Sequence, residues 1–425
     1  MESPCVIEPR RVEARNGSLN ASHRWKVLGA GVAANASFSA AANGIPTTAV
    51  WMRTSYHFGN AELGLVLGAM GLGLAVSELP WGVATDRLGD RPVLVTGLLA
   101  TALTLIAIAL FGVPSAHGAP AMPLLACAMC VAGLCGGSVN GSSGRAVMSW
   151  FKEGERGLAM SIRQTAVPLG GGLGAAVLPW LASRHGFGSV FAALAAMCAL
   201  SAVAALRWLR SPPHATEQSH TQAATPARGP LADITVWRVA FGIGLLCVPQ
   251  FAVLTFATIF LHDFGRLGLV GTSATMGVIQ TGAMIMRVWS GRHTDRHGNR
   301  RAYLRGSTLV AAVGFVALAS AVALGRHVPI AITVITIAAA GISVSAWHGV
   351  AYAELATLAG PGRAGTALGM ANTVVYAGLF VAPTLIPHLL AASSWAGVWL
   401  MAGIVALATY PLFPRPLQRR DRIAS

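Results

Sequence analysis

Apolar residues run along this chain in blocks of about 20 to 25, each closed by a short polar or glycine-rich interruption. A helix of that length crosses a hydrocarbon layer about 30 Å thick. The blocks predict helices over about 26–50, 60–83, 92–113, 120–147, 158–182 and 186–209, then over about 236–261, 269–290, 301–325, 328–354, 364–389 and 394–414. Between the two sets lies a stretch rich in Pro, Ser, Thr and Ala, with too little apolar surface to offset the entropy of ordering it. The expected organisation is a tail over 1–25, a six-helix bundle over 26–210, a linker over 211–235, a second bundle over 236–414 and a tail over 415–425.

Composition turns this pattern into a membrane protein. The 425 residues are 54% hydrophobic and 11% charged, whereas a soluble domain carries about a quarter charged residues. The formal charge of +15 does not indicate nucleic-acid binding, because the arginines punctuate apolar runs instead of clustering on one soluble face. Met1 to Arg24 is polar and lacks the short apolar core of a cleavable signal. The six cysteines lie at Cys5 and inside apolar segments, so no disulfide framework is expected. With the N-terminus inside, one side collects Arg10, Arg11, Lys26, Arg87, Arg91, Lys152, Arg156, Arg292, Arg300, Arg301, Arg419 and their neighbours, and the other holds only Arg53, Arg184, Arg266 and Arg326. That bias places both termini in the cytoplasm. The Ala- and Arg-rich composition suggests a bacterium, hence its inner membrane.

A pair of loops carries the most specific signal. Gly82-Val-Ala-Thr-Asp86-Arg87-Leu-Gly89-Asp-Arg91 follows the second predicted helix, and Gly291-Arg-His-Thr-Asp295-Arg296-His-Gly298-Asn-Arg300 follows the eighth. Five matched residues recur at the same displacement of 209 positions, so the halves are an internal repeat. Both loops resemble the G-x-x-x-D-R-x-G-x-[RK] signature of the major facilitator superfamily. The resemblance covers essentially the whole chain. It implies an all-α membrane protein of 12 transmembrane helices in two pseudo-symmetric six-helix bundles, working as a secondary transporter by alternating access. It also implies that Asp86, Arg87 and Arg91 form a cytoplasmic charge latch, with Asp295, Arg296 and Arg300 as its counterpart; the plainer alternative is that these charges only anchor the loops. A weaker similarity, Arg163-Gln164-Thr165-Ala-Val-Pro168, is to organic-anion and cyanate permeases.

Ionisable groups inside spans are costly and mark candidate pathways. They are Glu78, Arg145, Arg163, Arg287, His348 and Glu354. Three arginines against two carboxylates favour an anionic small-molecule substrate, since a guanidinium binds a carboxylate bidentately. Arg163 and Arg145 are the expected substrate contacts, although Arg145 and Arg287 also lie near enough to a boundary to snorkel. Glu78 and Arg287 are equivalent under the 209-residue offset, and the sequence leaves open whether they pair with each other or locally. Glu78, Glu354 and His348 are the expected proton-coupling groups, against the plainer readings of Glu354 as an interfacial acid and His348 as a structural histidine. Gln164 is a polar candidate beside Arg163, and by the resemblance Asn35, Asn43, Asn140, Gln250, Trp347 and His348 line the cavity. Interhelical hydrogen bonding is the alternative for each.

Several chemistries drop out. Cys127-x-x-Cys130 with Cys135 sits in an apolar span without a second ligand pair, and His293 with His297 is too sparse a set, so no metal is expected. Neither lysine, Lys26 nor Lys152, stands in a phosphate-cradling loop, so ATP is not the direct energy source. No nucleophile elbow or catalytic carboxylate pair is present, so the chain is not expected to be an enzyme or to need a cofactor. The expectation is proton-coupled uptake of a small carboxylate from the bilayer-spanning state. The alternative is a proton-coupled exporter of drugs or metabolites, disfavoured by the order of the prolines and glycines between Pro168 and Gly174.

Overall fold

A computed structural model describes residues 9–115, 118–210, 229–360 and 362–416. Its helices are α1 (Pro9–Gly44), α2 (Ala49–Tyr56), α3 (Asn60–Leu88), α4 (Asp90–Phe111), α5 (Met122–Gly136), α6 (Ser138–Trp150), α7 (Arg156–Gln164) and α8 (Ala166–Trp208) in the first half. The second half comprises α9 (Ile234–Asp263), α10 (Leu269–His297), α11 (Arg300–Leu324), α12 (Ile330–Ser343), α13 (His348–Ala359), α14 (Ala364–Ala392) and α15 (Trp395–Ala408). Among the described residues there is no strand.

These helices make twelve crossings. Eight helical stretches are long and apolar enough to span a membrane, and the longest, Arg156–Trp208, contains two crossings joined at Gly186. There the chain adopts φ 75°, a left-handed conformation that glycine takes without a Cβ clash. Helices α1, α10 and α14 supply the remaining three crossings. Side chains such as Phe111 and Val270, about four-fifths exposed, face outward as lipid-contacting surface.

Three crossings are interrupted. The fourth changes from α5 to α6 at Gly137, the fifth from α7 to α8 at Thr165, and the tenth from α12 to α13 across Val344–Trp347. Helix α1 begins at Pro9 instead of about residue 26, so the first helix reaches back through a segment expected as tail. Residues 1–8, most of the expected linker (211–228) and 417–425 lie outside the described residues.

One apolar core lies wholly within the first six crossings, around Phe38, Leu98, Phe191 and Leu194. The other fills the second six, around Phe260, Phe315, Trp347 and Trp399, and it takes in Val147, Met148, Ala159 and Met160 from the first half. The halves therefore join where the Asp86 and Asp295 loops lie, here called the latch end. Helix α3 packs along α14, and α7 packs on α10 and α13. Helix α8, which continues α7 toward the opposite end, has no comparable contact with either. The latch end is closed, and beyond it α8 parts from α10 while α3 stays against α14.

Candidate functional site

Two backbone-to-carboxylate contacts close the latch end. The Asp86 carboxylate accepts from the N–H groups of Gly365 (2.9 Å) and Thr366 (2.7 Å), at the start of α14. Asp295 accepts from Gly157 (3.0 Å) and Leu158 (2.7 Å), at the start of α7. Each aspartate thus belongs to one half and caps a helix of the other. The first-turn N–H groups have no intrahelical partner, and the helix dipole places partial positive charge on them.

The charges around the aspartates divide. Arg145 reaches Asp90 at 2.7 Å and Asp86 at 3.3 Å. Arg300 pairs with Asp295 at 2.9 Å and with Glu153 of the first half at 2.6 Å, the only ion pair between halves among the described residues. Arg91 donates to the Leu206 carbonyl within its own half, while Arg87 and Arg296 are exposed. Arg145, expected from the sequence as a substrate contact, lies at the latch end of α6 against the Asp86 and Asp90 carboxylates. Glu354, expected either as a coupling group or as an interfacial acid, is paired with Arg301 at 2.6 Å near the same end. A cavity of about 460 Å³ opens beside this second latch, lined by Glu153, Asp295, Arg300, Arg301 and Glu354 among others.

Deeper in the interface lies a buried polar seam. Glu78 of α3 is fully buried and accepts from Asn140 Nδ2 of α6 (2.6 Å) and Asn372 Nδ2 of α14 (3.1 Å). Asn140 also donates to the Tyr376 hydroxyl (3.1 Å), and the Tyr352 hydroxyl donates to Asn372 Oδ1 (2.6 Å). Five side chains from four helices therefore run across both halves. No cation lies within ion-pair distance of Glu78 among the described residues. At 1.5 Å rise per residue, Glu78 sits about 12 Å along α3 from Asp86.

Arg163 is 1% exposed in α7, at the inner side of the fifth-crossing break. Its Nη1 donates to Ser143 Oγ (3.0 Å), and its Nε has no partner. It acts electrostatically on Tyr352, Glu78 and Tyr376 without pairing with any of them. Arg287 of α10 spends Nε on the Ser345 carbonyl (3.0 Å) and Nη1 on the Gln164 carbonyl (2.8 Å). Both carbonyls are freed by the breaks in the tenth and fifth crossings. Glu78 and Arg287 thus do not pair with each other; each holds one seam between the halves through neutral partners.

The other expected contacts scatter. Asn35 is buried with Nδ2 unpartnered, whereas Asn43 is exposed and donates to Ser39 within its own helix. Gln164 and Gln250 are buried. His348 stacks on Trp347 at 4.1 Å and has Ser345 O at 3.2 Å and Cys247 Sγ at 3.8 Å. Sequence reasoning missed Tyr352, Tyr376 and Glu153. Four of the chain's five tyrosines, Tyr303, Tyr352, Tyr376 and Tyr410, fall inside predicted spans, so position in a span did not single out the two of the seam. Glu153, in a loop, gave no signal either.

Two repeated six-helix halves, meeting at a buried polar seam and latched at one end, define a transporter that works between its halves. Residues 32–383 match the Major Facilitator Superfamily, and the chain belongs to that family: it is a multi-pass secondary transporter, not an enzyme. Over 399 residues, 92% of this chain and 85% of the relative, it is 30% identical to an uncharacterized MFS-type transporter of Mycobacterium tuberculosis. A stretch of 116 residues, 27% of this chain and 25% of the relative, is 34% identical to the glycerol-3-phosphate transporter of Bacillus subtilis. In fold it resembles the proton:xylose symporter XylE (TM-score 0.76, 16% identity, 92% of this chain and 95% of that one). It also resembles FucP in its outward conformation (TM-score 0.68, 14% identity, 91% and 97%).

Proposed function

We propose that this chain takes up a small organic anion with a proton, by alternating access across a bacterial inner membrane, with both termini and the latch end in the cytoplasm. One observation carries the reading: Arg163 is buried at the interface, holds a single hydroxyl, and keeps an unpartnered Nε. A buried cation without a counter-charge is costly, and a carboxylate or phosphate would supply the missing acceptors. Asn35, with an unpartnered Nδ2, is a further buried donor and equally wants an acceptor.

Glu78 is the group suited to carry the proton, because it is buried, unpaired with any cation, and touches both halves. Glu354 is engaged by Arg301 and His348 is wedged against Trp347, so neither is needed for this role. The partial likeness to a glycerol-3-phosphate transporter agrees with an anionic cargo, and XylE and FucP are both named as proton symporters. The orientation rests on the arginine bias of the loops.

A thermal-stability screen of the purified protein tests this reading. A ligand that binds only the folded form stabilises it by about 2.7 kcal/mol at a hundredfold excess over Kd. Stabilisation by small anions, lost in Arg163→Ala, is the expected result. Stabilisation by lipophilic cations alone would sink the anion reading and promote an exporter.

A further inference from the structure

The anion reading leaves the number of charges on the cargo open, and the buried charges speak to it. Three ionisable side chains lie deep in the interface without an opposite charge within ion-pair distance: Glu78, Arg163 and Arg287. Arg163 belongs to the first half and Arg287 to the second. They are close: Arg287 Nη1 is 2.8 Å from the carbonyl of Gln164, the residue after Arg163. Both act electrostatically on Tyr352, which lies near each of them.

Each guanidinium keeps capacity for a ligand. Arg163 uses one nitrogen on Ser143, and its Nε is unpartnered. Arg287 uses two nitrogens on carbonyls, and Nη2 has no hydrogen-bond partner among the described residues. A carbonyl satisfies a guanidinium's hydrogen but not its charge. The site is built to receive negative charge from two sides.

We propose that the cargo is a dianion, one acidic group taken by Arg163 and the other by Arg287, and that it travels with one proton on Glu78. This rests on the reading of the chain as a proton-coupled anion carrier. The charges then balance: two guanidiniums and a neutral Glu78 against two negative groups leave the closed interface with no net charge. A net charge sealed in a low-dielectric interface is strongly disfavoured. With Glu78 ionised, the same site would balance a monoanion and no proton would be carried.

The proton has a structural consequence. Ionised Glu78 accepts from Asn140 and Asn372 at once. Adding H⁺ to one carboxylate oxygen gives the group an O–H that needs an acceptor of its own and removes the charge that strengthens both carboxamide bonds. The charged and titratable groups facing Glu78 are Arg163 from α7, Tyr352 from α13 and Tyr376 from α14. Cys247 of α9 acts on the two tyrosines, with Arg287 and His348 beyond Tyr352. The dianion meanwhile links a first-half guanidinium to a second-half one, where α7 packs on α10.

Succinate, glycerol 3-phosphate and lactate, each titrated against the purified full chain in weakly buffered detergent solution, test the proposal. Expected is at least tenfold tighter binding of a dianion than of lactate, with about one proton taken up per dianion bound. Succinate outranking glycerol 3-phosphate would assign a dicarboxylate, and the reverse a phosphate monoester. Arg287→Gln should lose the dianion preference at least tenfold while holding lactate within about threefold, and Arg163→Gln should lose both. If Arg287→Gln does not fold, Arg287→Lys should weaken the preference in the same direction. Lactate binding as tightly as succinate, or dianion binding without proton uptake, would overturn this proposal and leave the anion reading standing. Silence from all three anions would overturn both.

Discussion

Asp86 and Asp295, separated by 209 positions, each cap the first turn of a helix that belongs to the opposite half. The loop motif thus works as a pair of reciprocal bolts between the repeats. A carboxylate on a helix N-terminus contributes about 1 kcal/mol, by hydrogen bonding and by its charge on the dipole. Asp86→Ala or Asp295→Ala should shift the closed-to-open ratio of the latch end about fivefold, and the double variant further. Alkylation of a cysteine placed in α7 or at the start of α14 measures this. Unchanged labelling in both single variants would refute the bolt.

The bolts need backbone to touch backbone. A Cβ on Gly365 would lie 2.8 Å from the Gly82 carbonyl and 2.7 Å from Asp86 Oδ1, and one on Gly157 would lie 2.6 Å from Asp295 Oδ1. Gly365→Ala and Gly157→Ala should therefore hold the latch end open, with transport reduced at least tenfold. Gly68→Ala and Gly71→Ala on α3 are the controls, since no atom lies within 4 Å of a Cβ there. Those should leave transport unchanged and stabilise the helix by about 0.5–1 kcal/mol. Equal effects in both sets would show that helix propensity, not contact, decides.

Arg145 separates gating from binding. Its guanidinium lies between Asp86 and Asp90, so Arg145→Gln should change the rate of latch opening while anion affinity stays within about twofold. The effect should weaken as salt rises, because the pair is partly exposed and screened. A tenfold loss of anion affinity would return Arg145 to the substrate site.

Much of this architecture was legible in the chain. The twelve crossings follow from apolar block lengths, and the repeat from the matched loops. The inward-reaching ionisable groups stood out because charge is rare in such blocks. What the sequence hid is partner choice. Arg145 and Arg163 look alike in one dimension, yet one meets two carboxylates and the other a single hydroxyl. Glu78 and Arg287 invite a salt bridge by their equivalence and instead seek carboxamides and carbonyls on separate seams. Such choices depend on which faces of α3, α7, α10 and α14 meet, a long-range outcome that helical periodicity does not encode. The break at Thr165 does carry the usual local signal, since Pro168, four residues past Gln164, has no N–H for the carbonyl that Arg287 takes. The break at Val344–Trp347 has no proline to announce it.

The Glu78 seam predicts non-additivity. Asn372 serves Glu78 through Nδ2 and Tyr352 through Oδ1, so Asn372→Ala removes two bonds and leaves a buried carboxylate with one donor. That should destabilise the protein by about 2–3 kcal/mol, the cost of orphaning buried polar groups of which one is charged. Tyr352→Phe removes one bond and leaves Asn372 Oδ1 unmatched, at about 1 kcal/mol. In the double variant the second loss has already been incurred, so the sum should exceed the measured effect by about 0.5–1 kcal/mol, as for residues in one network. Thermal unfolding of the four proteins closes the cycle. Strict additivity would mean that the two bonds act independently and that Asn372 does not relay strain between the halves.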